Sequence, residues 1–201
     1  MEKKIADCNG LANAVTGICI FGMAPVLLGF MTGEALIGCL PWMICALPII
    51  LIAVTLLLVS GDIVGGMANA ILTGMALFNN IGHAVRAMYF SANGYVVPQE
   101  VQRGIFMMDG CFYLAAAVFL LSIVWISSKV NYVQAFFVAM PTIGFVLLFC
   151  GETLGFNVGI LPGVFLFVFA CWLLYSGMAM MLHQATGNQV LPYIIEPKRN
   201  I

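Results

Sequence analysis

Charged side chains are scarce in this sequence of 201 residues: they make up 7% of it, against 63% for hydrophobic residues. A soluble domain carries about 25% charged residues, so this composition argues against a water-soluble fold. Basic clusters are also lacking and the net charge is −1, so no nucleic-acid partner is predicted. The mean hydropathy of +1.10 predicts a single integral membrane domain spanning residues 1–201, with the lipid bilayer as its surroundings.

Catalytic and metal-binding motifs are missing as well. The sequence has no Walker A loop, no GxSxG and no HExxH, so no enzyme, catalytic residue or cofactor is predicted. None of the seven cysteines forms a CxxC pair, and they lie mostly in apolar runs, as small buried residues do. The two histidines, His83 and His183, fall at opposite ends of the predicted bundle, so no metal site is predicted.

Long apolar runs are what the sequence does have. Strict alternation of the β-barrel kind is absent, and each run is long enough to cross a bilayer as a helix. The fold class is therefore predicted to be all-α, a polytopic bundle of six transmembrane helices. The predicted spans are about 12–32, 35–60, 63–86, 105–127, 131–151 and 157–182.

The third span carries a stripe of small and polar residues. On a helix of about 100° per residue, the stripe falls within an arc of roughly 80° and runs about 30 Å, the thickness of the hydrocarbon layer. Asn79 alone sits off to one side. We call this set the α3 stripe, and its members are Asp62, Gly65, Asn69, Thr73, Ala76, Asn80 and His83.

Two interpretations of the α3 stripe are open. Polar groups in hydrocarbon are costly and usually face protein or a water-filled cavity, which favours the lining of a solute path. Small and polar residues also mark helix–helix packing faces, where they act as interhelical contacts. A stripe that spans the full depth is more than packing requires, so we expect Asn69, Thr73 and Asn80 to line a path.

The distribution of basic residues predicts the orientation in the plasma or inner membrane. Six spans place both termini on one side, which holds about five basic residues against about two on the other. The positive-inside rule then makes both termini cytoplasmic. The five are Lys3, Lys4, Lys129, Lys198 and Arg199, and the two are Arg86 and Arg103.

Ionisable and amide groups near the span ends are candidates for the mouths of a path. Asp109 lies early in the fourth span, where it either reaches water at the interface or tunes solute access. Arg86 and Arg103 are predicted at the same outer side and could pair with Asp109 or attract anions. Glu152 follows there, while Gln134 sits near the inner surface and could instead form interhelical hydrogen bonds.

Two motifs carry a resemblance to a known family. The sixth span ends in HQATGNQVLPYI, and the first span contains LANAVTGICIFGM. The first of these is similar to the closing glycine and Val-Leu-Pro of the acetate uptake transporter family, the succinate–acetate permease or GPR1/FUN34/YaaH group. The second resembles that family's opening signature at Asn13, Gly17, Phe21 and Gly22, although both signature prolines are missing.

The resemblance implies a homohexamer in which each protomer encloses its own pore for small monocarboxylates. It also implies an apolar constriction, formed here by Phe21, by Leu72 or Thr73, and by Met140. The family's usual tyrosine at the middle position is absent, and Glu152 stands where the family has asparagine.

The predicted function is a channel or transporter for a small monocarboxylate such as acetate, or for succinate. The predicted polar lining is Asn13, Asn69, Asn80, His83 and Gln134. Passage of a neutral solute such as ammonia or urea is the first alternative, favoured by the acidic mouth. The second alternative is a structural subunit of a membrane complex that transports nothing.

Overall fold

The computed structural model describes residues 8–92, 94 and 96–192, and these residues form helices without strands. Within these described ranges, six α-helices and one short 3-10 helix, Gly33–Cys39, follow one another. The α-helices are α1 (Asn9–Leu27), α2 (Leu40–Val59), α3 (Ile63–Ala92), α4 (Gln99–Val130), α5 (Tyr132–Leu154) and α6 (Leu161–Thr186).

The predicted all-α bundle is confirmed, and the helix ends differ from the predicted spans. The first helix stops at Leu27, not at 32, because Gly29 turns the backbone to φ +76°. The predicted loop 87–104 shrinks to about 93–98, since α3 runs on to Ala92 and α4 begins at Gln99. Hydropathy marks the part of a helix that lies in hydrocarbon, whereas the backbone hydrogen bonds continue beyond it.

The chain is a multi-pass membrane protein. Five described helical segments are long and apolar enough to cross a membrane: all the α-helices except α3, with the second segment extended back to Ala35. The α3 helix falls short in hydropathy because it carries the polar stripe, and most residues of its middle part are buried. Large apolar side chains such as Trp42, Ile44 and Trp125 are exposed on the outside, as a surface facing lipid requires.

Five helices form a ring, and α2 packs outside it. The α1 helix packs closely on α6, α6 on α5, α5 on α4, and α3 completes the ring between α4 and α1. Small residues allow the α1–α6 approach: a Cβ at Gly177 would lie 2.7 Å from the carbonyl oxygen of Gly10. The 3-10 helix and α2 cover α3 from the side away from the ring centre.

Most of the basic residues on which the predicted orientation rests lie outside the described residues. Lys3, Lys4, Lys198 and Arg199 lie outside the described residues, so both cytoplasmic termini stay a prediction. We name the two ends of the bundle by α3: the Asp62 end holds the start of α1 and α3, and the His83 end holds the end of α3 and the start of α4.

Candidate solute path

The middle of the α3 stripe faces α1. The hydroxyl of Thr16 on α1 donates to the side-chain oxygen of Asn69 at 2.8 Å and lies 2.6 Å from the hydroxyl of Thr73. Further along, the Asn80 amide donates to the carbonyl oxygen of Cys19 at 3.1 Å. Thr73 and Asn80 contact α1 and do not line either described cavity, so their place in a path lining stays a prediction.

We expect Thr16→Val to weaken the fold and to spare transport. The valine keeps the shape but leaves the Asn69 oxygen and the Thr73 hydroxyl without this partner, which should cost about 1–3 kcal/mol of unfolding free energy. The control is Thr55→Val, since the Thr55 hydroxyl bonds only its own helix, at Leu51. Thermal melting in detergent and uptake assays on both variants test the prediction. A Thr16→Val protein that melts like the wild type but has lost uptake would return this face to the path.

A cavity of about 320 Å³ opens at the Asp62 end, between α1, α3, α4, α5 and α6. Its outer part is polar and its inner part is apolar. The polar residues are Asn9, Asn13, Asp62, Asn69, Ser127, Asn131, Gln134 and Ser176. The apolar part includes Leu72, Ile123, Val138, Phe169 and Leu173.

Side-chain amides connect the walls of this cavity. Asn69 donates to the Asn13 oxygen at 3.2 Å, and Asn13 donates to the Ser176 hydroxyl at 3.4 Å, which joins α3 to α1 and α1 to α6. The cavity lining includes one charged side chain, Asp62, which accepts from Asn9 at 2.7 Å and from the Gly65 backbone N–H at 2.9 Å. Amides and hydroxyls can replace the hydration of a small polar solute without trapping it by charge.

Beyond the cavity, from Leu72 to His83, the α3 helix rises about 16 Å. Buried side chains of α4 and α5, among them Tyr113 and Phe145, occupy the bundle interior. The rings of Tyr113 and Phe145 are parallel with centroids 6.0 Å apart, and the Tyr113 hydroxyl donates to Asn79. Asn79, the residue off the stripe, therefore also contacts the ring interior, through Tyr113.

A charged cluster closes the His83 end. Asp109 is 2% exposed and accepts two hydrogen bonds from Arg86, at 2.5 Å and 2.9 Å. His83 Nε2 lies 3.7 Å from the same carboxylate. A second space of about 510 Å³, which we call the vestibule, opens above this cluster between the end of α3 and the start of α4. Of the two roles left open for Arg86, pairing with Asp109 is present in this geometry, and attraction of anions stays a prediction.

The other predicted lining and mouth residues lie in different parts of the molecule. Gln134 lines the cavity beside Asn13 and Asn69, whereas Arg103 is exposed and does not line the vestibule. Glu152, on α5, interacts electrostatically with Arg86 and Asp109.

The predicted constriction is not assembled around the cavity. Leu72 lies in its wall, but Phe21 is 39% exposed and packs on Phe167 at 5.4 Å, and Met140 packs against the core away from the lining. The role of Phe21 and Met140 in a pore constriction therefore stays a prediction.

Several residues of the site were not predicted from the sequence. Trp172 and Ser176 line the cavity one turn apart on α6, and Trp172 stacks on Phe137 with centroids 4.1 Å apart. Their four-residue spacing was the available signal, but aromatic and hydroxyl residues in apolar runs are common in packed helices. Asn79 could have been found only by asking which neighbour its side of α3 faces.

No protein-family model matches the chain, and no curated protein matches it. Among solved structures, the chain is similar to the bacterial acetate channel SatP, with a TM-score of 0.70 and 21% sequence identity. The similarity covers 94% of this chain and 99% of that one. The resemblance indicated by the two motifs is thus confirmed at the level of the fold: this chain has the fold of a bacterial acetate channel.

Proposed function

We propose that the chain forms a membrane path for a small monocarboxylate such as acetate. The observation that carries the proposal is the cavity between five helices of the fold. Its lining changes from amide-rich residues at the mouth to apolar residues further in, and we call this inner apolar part the neck. The solved acetate channel with the same fold supports the choice of solute class.

The two parts of the cavity have different tasks. Amide and hydroxyl donors at Asn13, Gln134 and Ser176 would exchange for the water around a carboxylate. The apolar neck at Leu72, Val138 and Phe169 would hinder hydrated inorganic ions, because an ion must shed its water there. A small organic acid has one end for each environment.

The function is tested by uptake of radiolabelled acetate into liposomes that contain the purified protein. The assay is run at neutral pH, where most of the acid is ionised and crosses lipid slowly, and protein-free liposomes give the background. We expect saturable uptake above that background, inhibited by unlabelled propionate. Uptake equal to the background would contradict the proposal and would favour a structural subunit that transports nothing.

A neutral solute is the second candidate, and Asp62 favours it. The charged side chain in the cavity lining is an acid, and a carboxylate at a mouth repels anions. Urea or ammonia would meet amide and hydroxyl partners without that repulsion. Swelling assays of the same liposomes in urea and in ammonium salts separate the candidates, because fast urea or ammonia entry without acetate uptake would reverse their order.

We also propose that the protein assembles as a homohexamer in the plasma or inner membrane, with both termini in the cytoplasm. The proposal is supported by the family resemblance and by the distribution of basic residues in the sequence. Cross-linking in the membrane and reporter fusions after residue 201 test the two parts separately.

A further inference from the structure

The vestibule at the His83 end has a floor that carries Arg86 and His83, and its walls are apolar. Among the described residues, its polar lining is His83, Arg86 and Gln102. The walls are Ala87, Phe90, Val96, Val97, Ile105 and Phe106. A concave site of about 510 Å³ with a few convergent polar groups in apolar walls has the form of a small-molecule site.

Arg86 is held ready for a second acceptor. Its side chain is 30% exposed, and Asp109 beneath it is buried and binds both terminal nitrogens of the guanidinium. A guanidinium has five N–H donors, and this pair engages about two of them, which leaves about three for another acceptor. Because Asp109 already fixes the long side chain, a ligand does not bear the entropy cost of ordering it.

We propose that the vestibule binds a short-chain monocarboxylate ion, with its carboxylate on Arg86 and His83 and its hydrocarbon tail against Phe90, Ile105 and Phe106. The inference rests on the proposed function and deepens it, because it names the site through which the solute passes at the His83 end. Charge-assisted hydrogen bonds from a guanidinium suit a carboxylate, and the walls exclude water from the tail.

The charges around the floor select a ligand with one negative charge. Asp109 neutralises Arg86, and Glu152 on α5 adds a second acid that interacts with both. The second carboxylate of a dicarboxylate would meet apolar walls and these acids, without a further cation in the described lining. Succinate should therefore bind at least about tenfold more weakly than butyrate.

The apolar walls also predict a chain-length order. Each additional methylene group buried against them should tighten binding about fourfold, so butyrate should bind at least about tenfold more tightly than acetate. Ligand-observed NMR titrations of the full chain in detergent at neutral pH, with acetate, butyrate and succinate, measure both ratios.

Variants locate the binding in the vestibule. Val97→Trp should fill the vestibule from a residue that is not part of the charged cluster, and Arg86→Lys keeps the charge beside Asp109 but loses the forked donors. Each should weaken butyrate binding at least about tenfold. The matched control is Met88→Trp, because Met88 is an exposed residue of α3 that does not line the vestibule. The affinity of this variant for butyrate should be unchanged.

Equal affinity for acetate and butyrate, tight succinate binding, or full butyrate affinity in Val97→Trp would overturn the site. Failure of the vestibule site can be distinguished from failure of the proposed transport function. Butyrate binding with the predicted ratios but without uptake in liposomes supports the site and refutes transport. Uptake that Val97→Trp leaves unchanged, in a protein that does not bind butyrate, refutes the site and supports transport.

Discussion

Replacing Val138 by tryptophan is expected to reduce acetate uptake by at least about tenfold while the protein still assembles. Val138 is buried on α5 and faces the apolar neck of the cavity, so an indole ring there would occupy the space that a solute must cross. Overpacking costs about 1–3 kcal/mol when no space is available, and the cavity reduces that cost. Initial uptake rates and gel-filtration profiles, measured together, give the result.

Phe136→Trp is the matched control for Val138→Trp. Phe136 lies two residues earlier on α5 and is 58% exposed, so an indole at this position points away from the cavity. It should transport and assemble as the wild type does. A correctly assembled Val138→Trp protein with normal uptake would show that the solute does not pass through this cavity.

The largest loss of stability is expected from Arg86→Met. The substitution leaves the Asp109 carboxylate buried without its cation, and removal of one partner of a buried pair costs about 3–5 kcal/mol. His83, at 3.7 Å, is too distant to replace two short hydrogen bonds. We expect a marked fall in melting temperature in detergent, or loss of folded protein.

The double variant Arg86→Met with Asp109→Asn separates charge from packing. Without the buried charge, most of the lost stability should return, because a neutral amide costs less to bury than an unpaired carboxylate. If the double variant is as unstable as Arg86→Met alone, the loss comes from packing around the methionine and the ion pair contributes little.

The number and order of the helices could be predicted from the sequence because a membrane imposes one requirement on every span. A run of about 20 apolar residues must satisfy its backbone internally, and a helix does so. The helix ends were predicted less accurately, because nothing in the lipid marks where α3 stops. The helix continues past the predicted end at residue 86 to Ala92.

Helical periodicity limits how far the candidate site can be predicted from the sequence. Helical spacing shows that Asn69, Thr73 and Asn80 share a face, but it does not show which neighbour that face meets. That neighbour is α1, and only the part near Asn69 also reaches the cavity. A motif likewise fixes Phe21 along the chain but not its rotation relative to the ring.

The boundary between α3 and α4 has a mechanical consequence. The other junctions of the five-helix ring are packed closely, whereas α3 and α4 touch sparsely. Their described contacts include two polar links, Arg86 with Asp109 and Tyr113 with Asn79, and one pair of apolar rings, Phe78 and Phe112, with centroids 4.5 Å apart. A packed apolar junction resists separation over its whole length, but a polar link can be exchanged for water or for a solute group. Separation of the ring at the α3–α4 boundary therefore costs less apolar contact than separation at any other junction of the ring.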